Sequence, residues 1–367
     1  MTSVRKCFGL CYSLNMRIPE AEASRWAQAL LTAAGMRAAD ATTSANIFIR
    51  ASRRELGHHD LHDLPGRLQL LYSGSLTAAP QFSVLRDEAA LHIFDGGGGL
   101  GELCCAHATM KAIERAQQFG IGLCSVRHSN HFLAGYPYAQ MGAEAGCLLI
   151  AYSNTDPTMV GPGGKTAVIG NNPVGFGAPG DSGGAPANPG NASQTTAPAN
   201  PDTATNPFLL DTCVAYSSIG NLFSLQRQNQ PIPPHWALNA AGEAATTPQE
   251  ALEGWRLKAI GGHKGYGLAL MHEVLTGVLS GGETTTDIQS PGGLNSHSQT
   301  VIAIRTESSF PANLQKLQQN IKQAGLRLPG SHSLKNEKKS RKEGIFLRDT
   351  TANELISWSK KLGVSTP

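Results

Sequence analysis

No apolar run in the 367 residues approaches the roughly 20 that a membrane-spanning helix needs, so the chain is expected to be soluble and to engage no membrane. Nor is there a strong charge excess: 30 lysines and arginines against 27 aspartates and glutamates leave +3 with the histidines neutral, which argues against a nucleic-acid partner. A disulfide framework is missing as well. The cysteines at positions 7, 11, 104, 105, 124, 147 and 213 are odd in number, scattered and mostly set in apolar runs, the pattern of reduced, buried thiols in a cytoplasmic-type compartment. Residues 1–15 carry Arg5 and Lys6, no acidic residue and only a brief apolar patch. That is too weak for a secretory signal and leaves a short organelle-targeting leader as the alternative to a plain N-terminal extension.

What is present is enough apolar sequence for two or three domains' worth of core. Pro19 opens a helix whose Trp26, Leu30 and Leu31 form one stripe, and a second helix is expected over 38–56, ending at Gly57. A strand over 91–95, a helix over 102–119 closed by Gly120, and a strand over 121–126 follow. Then come a helix over 138–145, strands over 147–152 and 208–210, a helix over 268–279, a strand over 300–305 and a helix over 312–324. The turn Leu328-Pro329-Gly330-Ser331, a basic stretch over 335–342 and a last helix, with Thr351 and Glu354 as a capping box, complete the chain. Residues 181–207 hold no large apolar side chain and are expected to be a disordered insertion that cannot offset its ordering entropy.

Chemistry-bearing residues gather at the ends of these elements. His131, in Ser129-Asn130-His131-Phe132 beyond a strand's C-terminal end, is a candidate general acid/base, because imidazole moves protons near neutral pH. The run Gly57-His58-His59-Asp60-Leu61-His62-Asp63 could serve as a metal site through His58, His59 and His62 or carry a catalytic histidine, but no cysteine or distal ligand pair accompanies it. Gly96 to Gly101 matches G-x-G-x-x-G before a helix. The next strand, however, ends in Val126-Arg127 where a ribose-binding acid belongs, so a glycine turn is the better reading. Gly261-Gly262-His263-Lys264-Gly265 before a long helix suits an anion, yet it lacks the spacing and the hydroxyl residue of a P-loop.

Taken in order, Gly57-His58-His59-Asp60, Ser129-Asn130-His131-Phe132, Ser153-Asn154-Thr155, Asn172-Pro173, Leu210-Asp211-Thr212-Cys213 and Gly261-Gly262-His263-Lys264-Gly265 resemble the malate/L-lactate dehydrogenase family that lacks a Rossmann fold. That family also holds sulfolactate and ureidoglycolate dehydrogenases, diketogulonate reductase and piperideine-carboxylate reductase. The resemblance implies an α/β, mixed-sheet, sulfolactate-dehydrogenase-like fold with helical N- and C-terminal segments, working as a homodimer with NAD or NADP. Residues 16–120 with 300–367 would form the helical, substrate-side domain, and 121–299 the NAD(P)-binding domain. The reaction implied is hydride exchange between the nicotinamide and a 2-hydroxy-acid/2-oxo-acid pair. The family's two histidines fall on His59 and His131, either of which could move the proton. Its cofactor contacts carry over to Thr155, to Asp211, Thr212 and Cys213, to His263 and Lys264, and to Gly330 and Ser331; no metal is implied.

One departure stands out. Where the family motif has an arginine four residues after its histidine, this chain has Asp63, expected to repel a substrate carboxylate and to shift its binding to Arg67 or Arg127, or to another substrate. A cofactor-binding member with lost or altered activity is therefore the second reading, and a metal-dependent hydrolase the third.

Overall fold

The computed structural model describes residues 16–180, 207–288 and 296–367; the expected N-terminal extension and all but the last residue of the expected insertion lie outside them. In chain order the elements are β1 (Met16–Ile18), α1 (Glu20–Ala33), α2 (Ala38–Ser52), α3 (Leu64–Tyr72), β2 (Ser83–Glu88), β3 (Leu91–Asp95), α4 (Gly101–Phe119), β4 (Ile121–Ser129) and α5 (Tyr136–Glu144). They continue with β5 (Cys147–Ser153), β6 (Met159–Val160), β7 (Ala167–Ile169), β8 (Val174–Ala178), β9 (Phe208–Thr212), α6 (Ile219–Arg227), β10 (Ala237–Leu238), α7 (Pro248–Gly254), β11 (Arg256–Lys258) and α8 (His263–Glu273). After a π-helical turn (Val274–Val278) come β12 (His297–Arg305), α9 (Phe310–Gln323), α10 (Ser331–Glu343), β13 (Ile345–Leu347) and α11 (Asp349–Leu362).

The main sheet has the order β2-β3-β4-β12-β5-β8-β9, with β3–β4 parallel and the other neighbours antiparallel. Its centre is therefore β12, a strand from late in the chain lying between β4 and β5, and β12 runs across the 299/300 division expected between domains. This mixed order is not a Rossmann sheet, whose strands would be parallel. The apolar faces of α1, α2, α3, α4 and α11 close over one side, with Trp26, Leu30, Leu31, Phe48, Leu64 and Leu68 in a single buried cluster with Phe94, Val126 and Leu149 of the sheet. A second cluster, including Met159, Leu222, Ala251 and Leu257, lies under a small sheet of order β10-β11-β6-β7.

The chain's late segment is tied back to its start. β13 pairs antiparallel with β1 in the register Ile18↔Ile345, and a side chain at Gly344 (φ 94°) would come within 2.5 Å of the Ile18 carbonyl oxygen. This pairing delivers the start of α11 over residues 57–63, where the site lies.

Several boundaries differ from the sequence reading. Helix α2 stops at Ser52, because Glu55 and Gly57 take positive φ. Helix α8 starts at His263 rather than 268, so its lysine lies within the first turn. The basic stretch is helical, as part of α10. The capping box expected at Thr351 and Glu354 is not formed: α11 begins at Asp349, Thr351 is buried inside it, and the N-cap Arg348 makes no side-chain cap. That device occurs instead at Thr247 and Glu250, the start of α7.

Candidate active site

Two loops bring histidines to one cleft. In the first, between α2 and α3, Gly57 (φ 73°) and His59 (φ 58°) both adopt the left-handed region, which a side-chain-bearing residue occupies only when its surroundings hold it there. Two aspartates do the holding. Buried Asp60 accepts hydrogen bonds from the backbone N–H of Gly57 (3.1 Å) and His62 (2.9 Å) and pairs at 2.6 Å with His62 Nδ1. Asp63 accepts the His59 N–H at 2.9 Å and lies 3.3 Å from His59 Nδ1. Burial would raise the Asp63 carboxyl, but the His59 hydrogen bond and the His59, Arg67 and His131 charges outweigh it and hold the group below the ordinary carboxylate range.

The second loop leaves β4 at Ser129 and carries His131. Gly101, at the start of α4, makes the approach feasible, since a Cβ there would come within 2.1 Å of the Asn130 carbonyl oxygen and 2.3 Å of that of His131. His131 Nδ1 accepts the Leu133 backbone N–H at 3.1 Å and faces an Arg67 guanidinium nitrogen at 3.3 Å, the same nitrogen that donates to the His131 carbonyl at 3.1 Å. Arg67 in turn pairs at 3.4 Å with Glu102, a fully buried residue. With only donors at Nδ1, His131 is the neutral tautomer with its proton on Nε2. Burial first, then the charges of His59, Arg67 and His297, push its pKa well below the usual histidine value.

The two imidazole rings lie 4.8 Å apart between centroids. Both line a cleft of about 380 Å³, together with Gly57, Asp63, Thr155, Asp156, Trp255 and Arg348 among others. The structure thus brings His59, His131 and Thr155 together. The remaining candidates lie elsewhere around the fold. Asp211 accepts the Gly135 (3.0 Å) and Tyr136 (3.2 Å) N–H groups and so caps α5. Thr212 and Cys213 turn their side chains to nearby carbonyls. Gly330 (φ 73°) packs against β9 at the Leu209 carbonyl, and Ser331 Oγ donates to the Leu328 carbonyl at 2.5 Å. His263 and Lys264 open α8, whose N-cap Gly262 supplies no side-chain cap, and the Lys264 ammonium has no ion pair or hydrogen bond among the described residues.

Residues that the sequence reading did not single out hold the motifs it did. The buried Glu273 carboxylate accepts from Asn154 (3.1 Å), Asn172 (3.0 Å), and the Thr285 N–H (2.8 Å) and hydroxyl (2.7 Å), tying the Ser153-Asn154-Thr155 and Asn172-Pro173 stretches together. Nothing in the sequence signals this, since Glu273 lies in an apolar helix. The cations offered in place of the motif's arginine are already committed, Arg67 as above and Arg127 to Asp95 (3.2 Å) and the Gly281 carbonyl (2.9 Å). Asp63 is not a free charge in the cleft but the partner of His59. The His58 and His59 rings lie 4.8 Å apart, but each of the three clustered histidines has its own partner at Nδ1, His58 the Leu56 carbonyl, His59 Asp63 and His62 Asp60, and among the described residues no group of three or more His, Cys, Asp or Glu could hold a metal ion.

A family model described as malate/L-lactate dehydrogenase matches residues 18–188 and 190–356. The malate dehydrogenase of Pyrococcus abyssi is 32% identical over 290 residues, covering 77% of this chain and 74% of that protein. The L-sulfolactate dehydrogenase of Methanothermobacter thermautotrophicus is 27% identical over 362 residues, 95% of this chain and 98% of that one. Among solved structures, malate dehydrogenase from Pyrococcus horikoshii superimposes with a TM-score of 0.80 at 25% identity, covering 98% and 99% of the two chains. With these matches, the α/β chain with its mixed central sheet is an oxidoreductase acting between hydroxy acids and oxo acids. The chain belongs to the malate/L-lactate dehydrogenase family.

Proposed function

We propose that the cleft carries out reversible reduction of a 2-oxo acid to a 2-hydroxy acid with NADH or NADPH, that His59 moves the proton and that His131 orients the carbonyl. The observation that carries this reading is the pair of imidazoles 4.8 Å apart with unlike partners at Nδ1, a carboxylate for one and donors for the other. When bound, the nicotinamide supplies or takes up the hydride. As the carbonyl carbon gains that hydride its oxygen gains an electron pair and needs a proton. In its protonated form His59, braced by Asp63, gives its Nε2 proton to the oxygen and regains one from solvent, to which its side chain is 31% exposed. His131, neutral, donates a hydrogen bond from Nε2 to the same oxygen and lowers the barrier electrostatically. In the oxidising direction His59 is the base.

The fold offers groups that fit a dinucleotide. The uncapped start of α8 with Lys264 suits a phosphate, and Thr155 lies in the cleft wall. We assign cofactor contacts to these and to His263, Asp211, Thr212, Cys213, Gly330 and Ser331, and the homodimer to the face of α8 and its π-helical extension. There Leu268, Leu270, Met271, Val274 and Val278 are each at least 42% exposed, a continuous apolar strip that a second subunit would cover. No helix of the described residues is long and apolar enough to cross a membrane.

The test is NAD(P)H oxidation at 340 nm with a panel of 2-oxo acids. His59→Gln should lower kcat by roughly 10²-fold or more and leave NAD(P)H affinity, read by tryptophan-to-nicotinamide fluorescence transfer, near normal. Undiminished turnover in that variant would sink the assignment.

A further inference from the structure

We propose that Phe223 and Trp255 form an aromatic wall of the cleft that takes the side chain of the substrate, so that the preferred substrates are 2-oxo acids with a large apolar, above all aromatic, side chain. This rests on the reading of the cleft given above.

The cleft has two chemically unlike walls. His59, His131 and Asp63 belong to one, joined by Arg348, whose backbone N–H donates to His62 Nε2 at 3.2 Å. The imidazoles fix where the reacting carbonyl lies. The other wall comes from the elements around the second core cluster, where Ile219 and Phe223 of α6 and Trp255 after α7 supply apolar surface. Gly220 brings the two walls together at one end, since a Cβ there would come within 2.5 Å of the His58 ring. Phe223 is the next side chain along that face of α6, about 4.5 Å further down the helix axis.

Phe223 does not serve the core. Leu222 of the same helix is buried, and Ile219 and Leu225 pack against the second cluster, whereas Phe223 is 43% exposed and its ring has no aromatic partner among the described residues.

Trp255 is the stronger sign. It ends α7 in the left-handed region (φ 51°, ψ 41°), with its N–H donating to the Ala251 carbonyl at 2.8 Å. Glycine is the ordinary occupant of such a helix end, and the bulkiest of side chains bears strain there. Core packing does not account for that strain, because the indole belongs to none of the buried clusters and the residue is 38% exposed. Gly254 could not carry the ring in its place, since a Cβ there would come within 2.3 Å of the Leu238 carbonyl oxygen. Backbone strain without packing to justify it, beside a cleft, points to a side chain placed for a ligand.

The part of the ligand that fits is the substrate's tail. Thr155, Asp156, Thr158 and Asn171, which also line the cleft, offer the hydrogen-bonding groups that a nicotinamide carboxamide needs, and the two aromatic rings do not. A carbonyl held at His59 and His131 leaves its substituent to fill the rest of a cavity of about 380 Å³. A methyl group there leaves both rings in water. A phenyl group removes apolar surface from water on both partners and meets an aromatic face.

Steady-state kinetics with phenylpyruvate, 4-methyl-2-oxopentanoate, oxaloacetate and pyruvate test this on the wild type, Phe223→Ala and Trp255→Gly, with NAD(P)H and phenyllactate affinities by calorimetry and a urea midpoint for each protein. The wild type should favour phenylpyruvate over pyruvate and oxaloacetate by at least about tenfold in kcat/KM, with 4-methyl-2-oxopentanoate between them. Each substitution should raise the KM for phenylpyruvate by roughly 10- to 100-fold, the size of a lost apolar contact, and leave pyruvate turnover and NAD(P)H affinity near the wild type. Trp255→Gly should keep the urea midpoint, because glycine suits the left-handed helix end; a marked fall would assign the indole to packing and overturn its role. A preference for pyruvate or oxaloacetate, or weakened NAD(P)H binding in either variant, would overturn the proposal. Phenyllactate binding that depends on both rings in an enzyme with no turnover would uphold it and refute the reduction chemistry.

Discussion

The loop at 57–63 and the loop at 130–135 each deliver an imidazole to the same cleft, and they do so by opposite means. His59 is partly exposed, backbone-strained at φ 58° and bonded through Nδ1 to a carboxylate. His131 is likewise half-buried, with Nδ1 filled by a backbone N–H and a guanidinium. The first loop sets a carboxylate beside the ring, and the second sets only donors at Nδ1 while burial and neighbouring charges push the pKa of its imidazole down. The roles proposed for the two residues thus rest on the partner placed on a single ring nitrogen, the general device by which two titratable groups are driven apart in one site.

The comparison breaks most severely at Asp63. Were this aspartate merely a misplaced charge, as its position in the motif implies, Asp63→Arg would improve turnover of simple 2-oxo acids. Because Asp63 braces both the backbone and the ring of His59, we expect the reverse, a loss of about 10²-fold or more in kcat, with Asp63→Asn intermediate because it retains an acceptor for the backbone N–H. A rise in kcat/KM for pyruvate in Asp63→Arg would show that the aspartate acts on the substrate and not on His59.

The other loop depends on Arg67. Arg67→Met strips the donor from His131 and leaves Glu102, whose pKa burial already raises, without its cation. Removing one member of a buried pair costs about 3–5 kcal/mol, so a clear fall in urea midpoint is expected, with Arg67→Met/Glu102→Gln recovering much of it. In the wild type, long-range nitrogen–proton spectra of the histidines should show His131 neutral and protonated on Nε2 at pH 7. A resonance of the Nδ1–H tautomer would refute the role given to it.

How much of this was legible beforehand follows the range of the interactions involved. The α1 stripe of Trp26, Leu30 and Leu31, the strand over 91–95 and the helix ending at Gly120 were readable because periodicity and a left-handed cap are local. His59 and His131 were readable as histidines at element ends, and the family motifs supplied their pairing. What no local pattern carries is contact between distant segments: β12 entering the middle of the sheet, Glu273 gathering two asparagines, or His62 reaching Arg348. The cluster of histidines and aspartates left more than one reading open for the same reason. Its spacing allowed a metal, and only the distant Arg348 N–H and the local backbone N–H groups explain why Asp60 and His62 are there. The late helix start failed more simply, because Thr351 and Glu354 have the right spacing but β13 runs on to Leu347 and α11 begins at once behind it.

The smallest effect separates environment from catalytic duty. His107 has no place in the cleft, yet it too is an imidazole without a carboxylate partner, set between Phe82 and Phe94 at ring-centroid distances of 4.8 and 5.0 Å. Burial, with Lys111 and His92 nearby, lowers its pKa to about 4, and burial also lowers those of His58, His131 and His272. Since each folded-state value lies below that of the unfolded chain, the unfolded state binds more protons as pH drops through about 6.5, and the folded state loses stability from there down to the folded pKa. Urea unfolding free energy should therefore fall between pH 7 and 5. His107→Leu should make that fall shallower by up to one proton's worth, about 1.4 kcal/mol per pH unit, while NAD(P)H oxidation at pH 7 is unchanged. A slope identical to the wild type would mean that His107 titrates alike in both states, and that enclosure without an acidic partner is not what keeps an imidazole neutral in this protein.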